Sequence, residues 1–470
     1  MSDRLSPAVV FVTILLVLTG MGDAADQKVI FHMDELIRIA LDKSPEIEAS
    51  RQETEAYRSR VTQNMASYLP QVSAETGYNR LRRLYTYSGQ TLPGETDLYS
   101  TGIMVSQHIH DFGVTEGRVE QSRYNLSASE KGIDKTAADT VRDVQIIYYE
   151  ILKKKGFVEV GEESVRIQQV HLNQAKAFVE AGVRPKIDVT RSEVELANTR
   201  LRLLRADYAL RAAFLDLENR MGGPPSIYEY DLADVPVNGF YDIKPESAVA
   251  DAFHLRPELA MVKEHIQAAN ALLKASRGGR YPAITADAIY QWENNELPLE
   301  NTWQVGLNLS WALFTGFRTT GKITEVHSEI ARLQAHQKQI ELQIQREVTL
   351  ACQQVMESTE SIKTAESALQ QAKENMALAD GRYQNGVGNA IEYADAELVL
   401  TQARINLIQA NYEYLQNLTL LDHAAGRLKA EGAATCIQAA CLFLNTHISL
   451  LNTENIFTVN HYPKGILANG

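Results

Sequence analysis

Glu392 and Asp395 have the clearest chemical content of any residues in this sequence. They stand three positions apart just after a Gly/Asn-rich turn, where the apolar spacing is helical, so both carboxylates fall on one helix face. Two such acids can draw cations to a narrow passage. They can equally be the acidic first turn that a helix dipole favours by about 0.3–1 kcal/mol per charge. Asp188 and Arg191 occupy a similar context 204 positions earlier, so there the first acidic level recurs and the second is mixed.

Other reactive residues lead less far. His108 and His110 lie at i and i+2 and, on an uninterrupted strand, share one face. Two imidazoles without a third ligand make a poor transition-metal site. Asp111-Phe112-Gly113 resembles a kinase fragment, but no Gly-rich loop or catalytic loop accompanies it; it reads as a strand-to-helix corner. Cys352, Cys436 and Cys441 form no disulfide framework. No nucleophile–base pair or metal-ligand cluster marks an enzyme, and nothing calls for a cofactor. With 59 acidic against 46 basic residues and a net charge of −13, nucleic acid is excluded as a partner.

The elements that position Glu392 occur twice. "SPEIEAS" at Ser44–Ser50 returns as "RPELAMV" at Arg256–Val262, and "YLPQVSAETGY" at Tyr68–Tyr78 as "RYPAITADAIY" at Arg280–Tyr290; Pro45/Pro257 and Pro70/Pro282 are both 212 apart. "VEAGVRPKIDV" at Val179–Val189 returns as "YQNGVGNAIEY" at Tyr383–Tyr393, with Gly182/Gly386 204 apart. A duplication of this length fixes the organisation before any local motif is read. The offset falls by 8 between the two blocks, and Leu84–Thr96 is the expected site of the extra residues, as a longer loop.

Each unit runs through the same sequence of periods. Ser44-Pro45-Glu46 opens a helix with a cap, a first-turn proline and an acid. Pro70 ends it, and period-two strands follow. Trp303, Val305, Leu307, Leu309 and Trp311 alternate with Thr302, Gln304, Gly306, Asn308 and Ser310, which predicts one apolar and one wet face. Ile284–Trp292, Val72–Tyr78 and Tyr99–Val105 alternate likewise. Next come proline-free helices from Val114 to about Ala181 and from Arg318 to about Asn385. Each would be a rod of about 100 Å. In the second, Ile323, Val326, Ile330, Leu333, Gln337 and Ile340 step by threes and fours. After a shift near Ile344–Val348 the steps resume from Ala351 to Tyr383: coiled-coil spacing with a break. Gly182–Pro185 and Gly386–Asn389 turn the chain back into helices ending at Gly222 and Gly426.

Residues 1–24 read as a secretory signal peptide: Arg4, the apolar run Ala8–Leu18 and small residues Gly22 and Ala24 before a cut. An N-terminal anchor helix is the alternative reading. No other stretch has the length of a transmembrane helix, so membrane entry would be through β-strands. Four strands cannot close a barrel, and open edges are not tolerated in lipid, so such a chain must oligomerise.

The doubled helix–strand–strand–rod–turn–helix unit, "YLPQVSAETGY" and "GVGNAIEYADAELVLTQARINLIQANYEYL" resemble the TolC-like outer-membrane efflux proteins of Gram-negative bacteria, over about Asp34–Gly426. The resemblance implies an α+β membrane protein in which four transmembrane strands per chain join a trimeric 12-stranded β-barrel, continued by an α-helical coiled-coil tunnel. It implies a homotrimer in outer-membrane lipid with its helical part in the periplasm. It also implies an adaptor (membrane fusion) protein linking it to an inner-membrane pump, in efflux or type I secretion. Trp303, Val305, Leu307, Leu309 and Trp311 would face lipid. Gly182, Val183, Arg184, Pro185, Gly386, Val387 and Gly388 would be the tips that meet the adaptor. Glu392, Asp395, Asp188 and Tyr383 would line the periplasmic aperture. Gly388 departs from the pattern, because some members carry there an arginine that helps hold the tip shut.

The expected division is a first repeat at 25–222, an inter-repeat segment at 223–245 that helps form a mid-tunnel belt, a second repeat at 246–426, and a tail at 427–470. The tail is either part of the belt or a segment foreign to the fold. A secreted or periplasmic coiled-coil scaffold is the competing reading; it accounts for the rods but not for four alternating strands.

Overall fold

A computed structural model describes residues 29–87, 90–223, 230–237, 239–240 and 244–428. The signal-peptide reading, Cys436, Cys441 and the tail beyond Leu428 lie outside the described residues. Among those described, no helix is long and apolar enough to cross a membrane.

The two rods are α3, Val114–Glu180, and α7, Arg318–Gln384, of 67 residues each, about 100 Å long. Both start at a tight corner with its acceptor four residues upstream. Asp111 Oδ2 accepts from Thr115 N at 2.7 Å, and Thr315 Oγ1 accepts from Thr319 N at 3.4 Å. Asp111-Phe112-Gly113 is therefore a strand-to-helix corner, with Phe112 at φ 54° and Gly113 at φ 90°.

Shorter helices line the rods in end-to-end pairs. Helix α4 (Ile187–Arg220) abuts α2 (Pro45–Met65), and α8 (Ala390–Ala424) abuts α6 (Pro257–Gly278). Contact at these joints is so close that a Cβ on Gly222 would lie 2.6 Å from Lys43 O, and one on Gly426 2.9 Å from Leu255 Cβ. Only glycine fits. The expected seam of α7 is buried at Ile323, Val326, Leu333, Ala351, Val355, Ser358, Ile362, Ala372, Ala379 and Tyr383. Its break has a structural cause. Ile344 and Val348 sit in the mid-rod core, next to Glu347, which pairs with Arg256 at the α8–α6 joint. There α7 passes from one partner helix to the next.

The main core lies at that mid-rod level. Val141, Val144, Tyr148 and Ile151 of α3, Leu217 of α4, Ile344 and Val348 of α7 and Tyr414 of α8 pack on Leu36 and Ile37 of α1 (Met33–Lys43). A short parallel pair, β1 (Val29–Phe31) and β4 (Tyr230–Leu232), wraps this level. Tyr148 donates to Ala233 O at 2.5 Å and Lys155 pairs with Asp231 at 2.8 Å.

The four long strands form one antiparallel sheet, ordered β2 (Gln71–Tyr87), β3 (Gln90–His110), β5 (Ala283–Asn294), β6 (Glu300–Ser310). Directly opposed residues share a face. Leu307↔Ala286, Val305↔Ala288↔Val105↔Val72 and Trp303↔Tyr290↔Ile103↔Ala74 make one apolar face. Trp303, Val305, Leu307, Leu309 and Trp311 are all exposed in the single chain, Leu307 at 75%. On the opposite face Asp287 accepts from Ser106 Oγ and Asn308 Nδ2, both at 2.6 Å.

Two expectations are corrected. Within the expected loop Leu84–Thr96, the stretches Leu84–Tyr87 and Gln90–Thr96 are strand, because β2 and β3 stay in register out to Tyr87↔Gln90. The extra residues of the first repeat lengthen a β-ribbon that runs past the end of β5. His108 and His110 do not share a face either. The register shifts between them, so His108 lies opposite Thr285 and His110 opposite Ile284. The bulged Ile109 turns the second imidazole to the other side, and His110 rests on Phe112, ring centroids 4.6 Å apart. No group of three metal-binding side chains occurs among the described residues.

Candidate functional site: the helical tip

Both rods end in the same turn. Gly182 (φ 71°) and Gly386 (φ 75°) take the left-handed conformation. Val183 N then bonds Phe178 O at 2.9 Å, and Val387 N bonds Arg382 O at 3.0 Å. These are the six-to-one closures of a Schellman end, and they leave Val183 and Val387 at the extremity, 65% and 71% exposed. Asn389 Oδ1 caps α8 by accepting from Ile391 N and Glu392 N at 2.9 and 2.8 Å.

The two turns touch through Arg184. Its Nη2 donates to Gly388 O at 2.7 Å, and its guanidinium lies 5.0 Å from the centroid of the Tyr383 ring. Pro185 is exposed beside it, whereas Arg184 itself is half-buried and turned across the tip. Gly388 is buried, and a Cβ there would meet Arg382 Cβ and Tyr383 N at 3.1 Å.

Of the four aperture residues, the fold brings Asp188 and Tyr383 together and sets Glu392 and Asp395 apart. Tyr383 is 1% exposed and Asp188 8%; both pack inside the four-helix end. Asp395 is exposed. Glu392 is half-exposed at the start of α8 and paired with Arg382 Nε at 2.8 Å. The offset of 204 aligns Asp188 with Glu392 in sequence, but one faces inward and the other outward.

Sequence reasoning missed the residues beneath the turn. His171 of α3 is 2% exposed, stacks on Tyr393 of α8 (centroids 4.1 Å, planes 6° apart) and tilts against Tyr383 at 4.9 Å. Phe178 closes the cluster against Tyr383 at 5.9 Å. Burial pushes the His171 imidazole down to about 4, although Asp380 and Asp188 pull the other way. Burial pushes the Tyr393 phenol up to about 12. His171 Nδ1, both amide atoms of Gln168 and the Tyr383 hydroxyl are buried without a hydrogen-bond partner. One turn further in, burial raises the Glu397 carboxyl, which accepts from Thr401 Oγ1 at 3.0 Å. Tyr383 and Tyr393 lie five residues either side of Gly388, a spacing that could have paired them; no sequence signal singles out His171.

The arrangement offers no nucleophile or metal ligand set. It is a helix end packed on a small aromatic cluster, with Arg184 hydrogen-bonded across its two turns. Comparison with known proteins agrees with the architecture. "Outer membrane protein TolC" of Vibrio cholerae serotype O1 is 22% identical over 438 residues, covering 89% of this chain and 95% of its own. "Proteases secretion protein PrtF" of Dickeya chrysanthemi is 22% identical over 448 residues, 90% of this chain and 93% of its own. The crystal structure of the outer membrane protein VceC from Vibrio cholerae superimposes with a TM-score of 0.74 at 18% identity, over 84% of this chain and 96% of that one. The sequence profile of the family described as "Outer membrane efflux protein" matches residues 36–223 and 248–427, and the chain belongs to that family.

Proposed function

We propose that three copies of this chain form one exit duct: a twelve-stranded barrel in the outer membrane continued by a helical tunnel across the periplasm. The tips would face an adaptor protein and, through it, an inner-membrane pump of an efflux or type I secretion system. Residues 1–24 would be removed on export. The observation that carries this reading is the open four-stranded sheet with one apolar face. Among the described residues the outer edges of β2 and β6 are unpaired, and a sheet in lipid must close. Within β6 the exposed apolar residues run from Trp303 to Leu309. From Trp303 to the strand's end at Ser310 the rise is about 24 Å, close to the roughly 25 Å apolar band of outer-membrane barrels.

A second support comes from the tunnel half. Ile187, Val194, Leu201, Tyr208 and Leu215 of α4 recur every seven residues and are 45–64% exposed. Such a heptad stripe fits a partner helix from a neighbouring copy. A coiled-coil scaffold would leave the sheet unexplained. In the duct, Glu392 and Asp395 would line the mouth, and Arg184 would hold the two turns of each chain together.

An epitope inserted at the end of the β2–β3 ribbon tests location and topology. Antibody should label it on whole cells, and extracts should yield a heat-modifiable trimer. Labelling only after outer-membrane permeabilisation, or a monomer in mild detergent, would overturn the reading.

A further inference from the structure

We propose that His171 is a proton-operated wedge in the tip: protonation of its buried imidazole loosens the contact of α3 with α7 and α8 and opens the mouth. The inference rests on the reading of the tip as a gate. Its geometric basis is a layer of polar side chains sealed among three helices without hydrogen bonds. Gln168, His171 and Tyr383 are 1%, 2% and 1% exposed, yet four of their polar atoms lack partners. Unsatisfied buried groups make a layer that is easily parted. His171 sits at its centre, stacked on Tyr393 and tilted on Tyr383, so it touches both helices of the second hairpin.

Groups around the imidazole come from every neighbouring element. Asp188 of α4 and Asp380 of α7 favour the charged form. Tyr383 of α7 and Tyr393 of α8 present neutral rings, with the Arg184 cation on Tyr383. Glu397 of α8 lies a turn further in and is kept toward its neutral form by burial. Burial wins, and the closed tip holds a neutral imidazole down to about pH 4. An imidazole released to water titrates near 6.5. The closed state is therefore fully favoured above about pH 6.5 and loses that preference as pH falls toward 4. At the limit, the open-to-closed ratio rises about 300-fold.

The test measures conductance of the full-length oligomer in planar bilayers while the tip side is acidified from pH 7.5 to 4. In parallel, nitroxide labels at Val183→Cys and Val387→Cys, in a background free of other cysteines, report tip separation in detergent. Acid should open the wild-type channel and separate the labels. His171→Phe keeps a stacking ring without a proton site and should abolish both responses. Asp380→Asn removes a carboxylate that favours the charged imidazole in the closed tip, so it should widen the gap to the open-state titration and move the acid midpoint higher, a shift that a purely structural residue would not cause. An unaltered acid response in His171→Phe together with an unmoved midpoint in Asp380→Asn would overturn the proposal. If Arg184→Ala opens the channel while acid acts independently of His171, the wedge fails and the gate stands. If the labels separate through His171 without any conductance, the gate reading fails and the proton site stands.

Discussion

Arg184 and Gly388 occupy the same place in the two repeats, 204 residues apart, and they bind each other: Arg184 Nη2 donates to Gly388 O at 2.7 Å. The duplication has thus become an asymmetric clasp, with the cation on one turn and a bare carbonyl on the other. Gly388 carries no side chain at that position, and its carbonyl takes an arginine from the opposite hairpin. Gly388→Arg should therefore open the tip rather than tighten it, since it crowds Arg382 and Tyr383 at 3.1 Å and adds a like charge. The exchange Arg184→Gly with Gly388→Arg should restore closure in part. Bilayer conductance checks both, and a tighter channel in Gly388→Arg would refute the clasp.

The two sheet faces predict unequal effects of the same charge. Leu307→Arg places a cation on the apolar face opposite Ala286. It should cost about 2–4 kcal/mol if it lies near the bilayer midplane, depleting heat-stable oligomer on gels. Asn308→Arg stands beside Asp287 on the wet face and should spare assembly. Equal depletion by both would contradict the face assignment.

Asp139 predicts how the mid-rod responds to pH. Burial alone would raise its carboxyl, but His423, Lys135 and Arg142 outweigh burial and hold it well below the ordinary range. A depressed carboxylate stabilises above its unfolded value of about 3.9 and loses that contribution as pH falls through the folded value. Asp139→Asn should lower stability by about 1–3 kcal/mol at pH 7. Melting curves of the two proteins should begin to approach each other only as pH falls below about 4, and a constant gap would contradict the linkage.

If Glu392 and Asp395 line the mouth as proposed, they set its selectivity. Glu392→Gln with Asp395→Asn should lower cation preference and weaken block by trivalent cations from the tip side. Asp395 should account for more of the effect, because Arg382 already pairs Glu392. The change should shrink in concentrated salt, where charges are screened beyond a few ångströms. Unaltered selectivity at low salt would leave these acids as a helix start only.

Much of the fold was legible in the sequence because its periods are long and local. The rods end within two residues of Ala181 and Asn385, since helical spacing and the Gly182 and Gly386 turns are written in consecutive residues. Leu84–Thr96 reads as a loop because it is rich in Gly, Tyr and Thr, while cross-strand pairing makes its described residues β. The bulge at Ile109 has no local signature, so unbroken strand alternation puts the two imidazoles on one face. At the tip, the turns and Glu392 could be read, but the Arg184–Gly388 contact joins two hairpins far apart in sequence. His171 escaped because burial of a polar residue is a tertiary fact.

Ionic conductance of the purified oligomer in planar bilayers at neutral pH tests the central claim most directly. The wild type should form discrete channels of low conductance, closed by the tip. Removing the Arg184 hydrogen bond and its ring contact in Arg184→Ala should shift the gate toward open roughly tenfold, the equivalent of about 1.4 kcal/mol from one charged hydrogen bond. Assembled oligomers that conduct no ions, in either wild type or Arg184→Ala, would contradict the account.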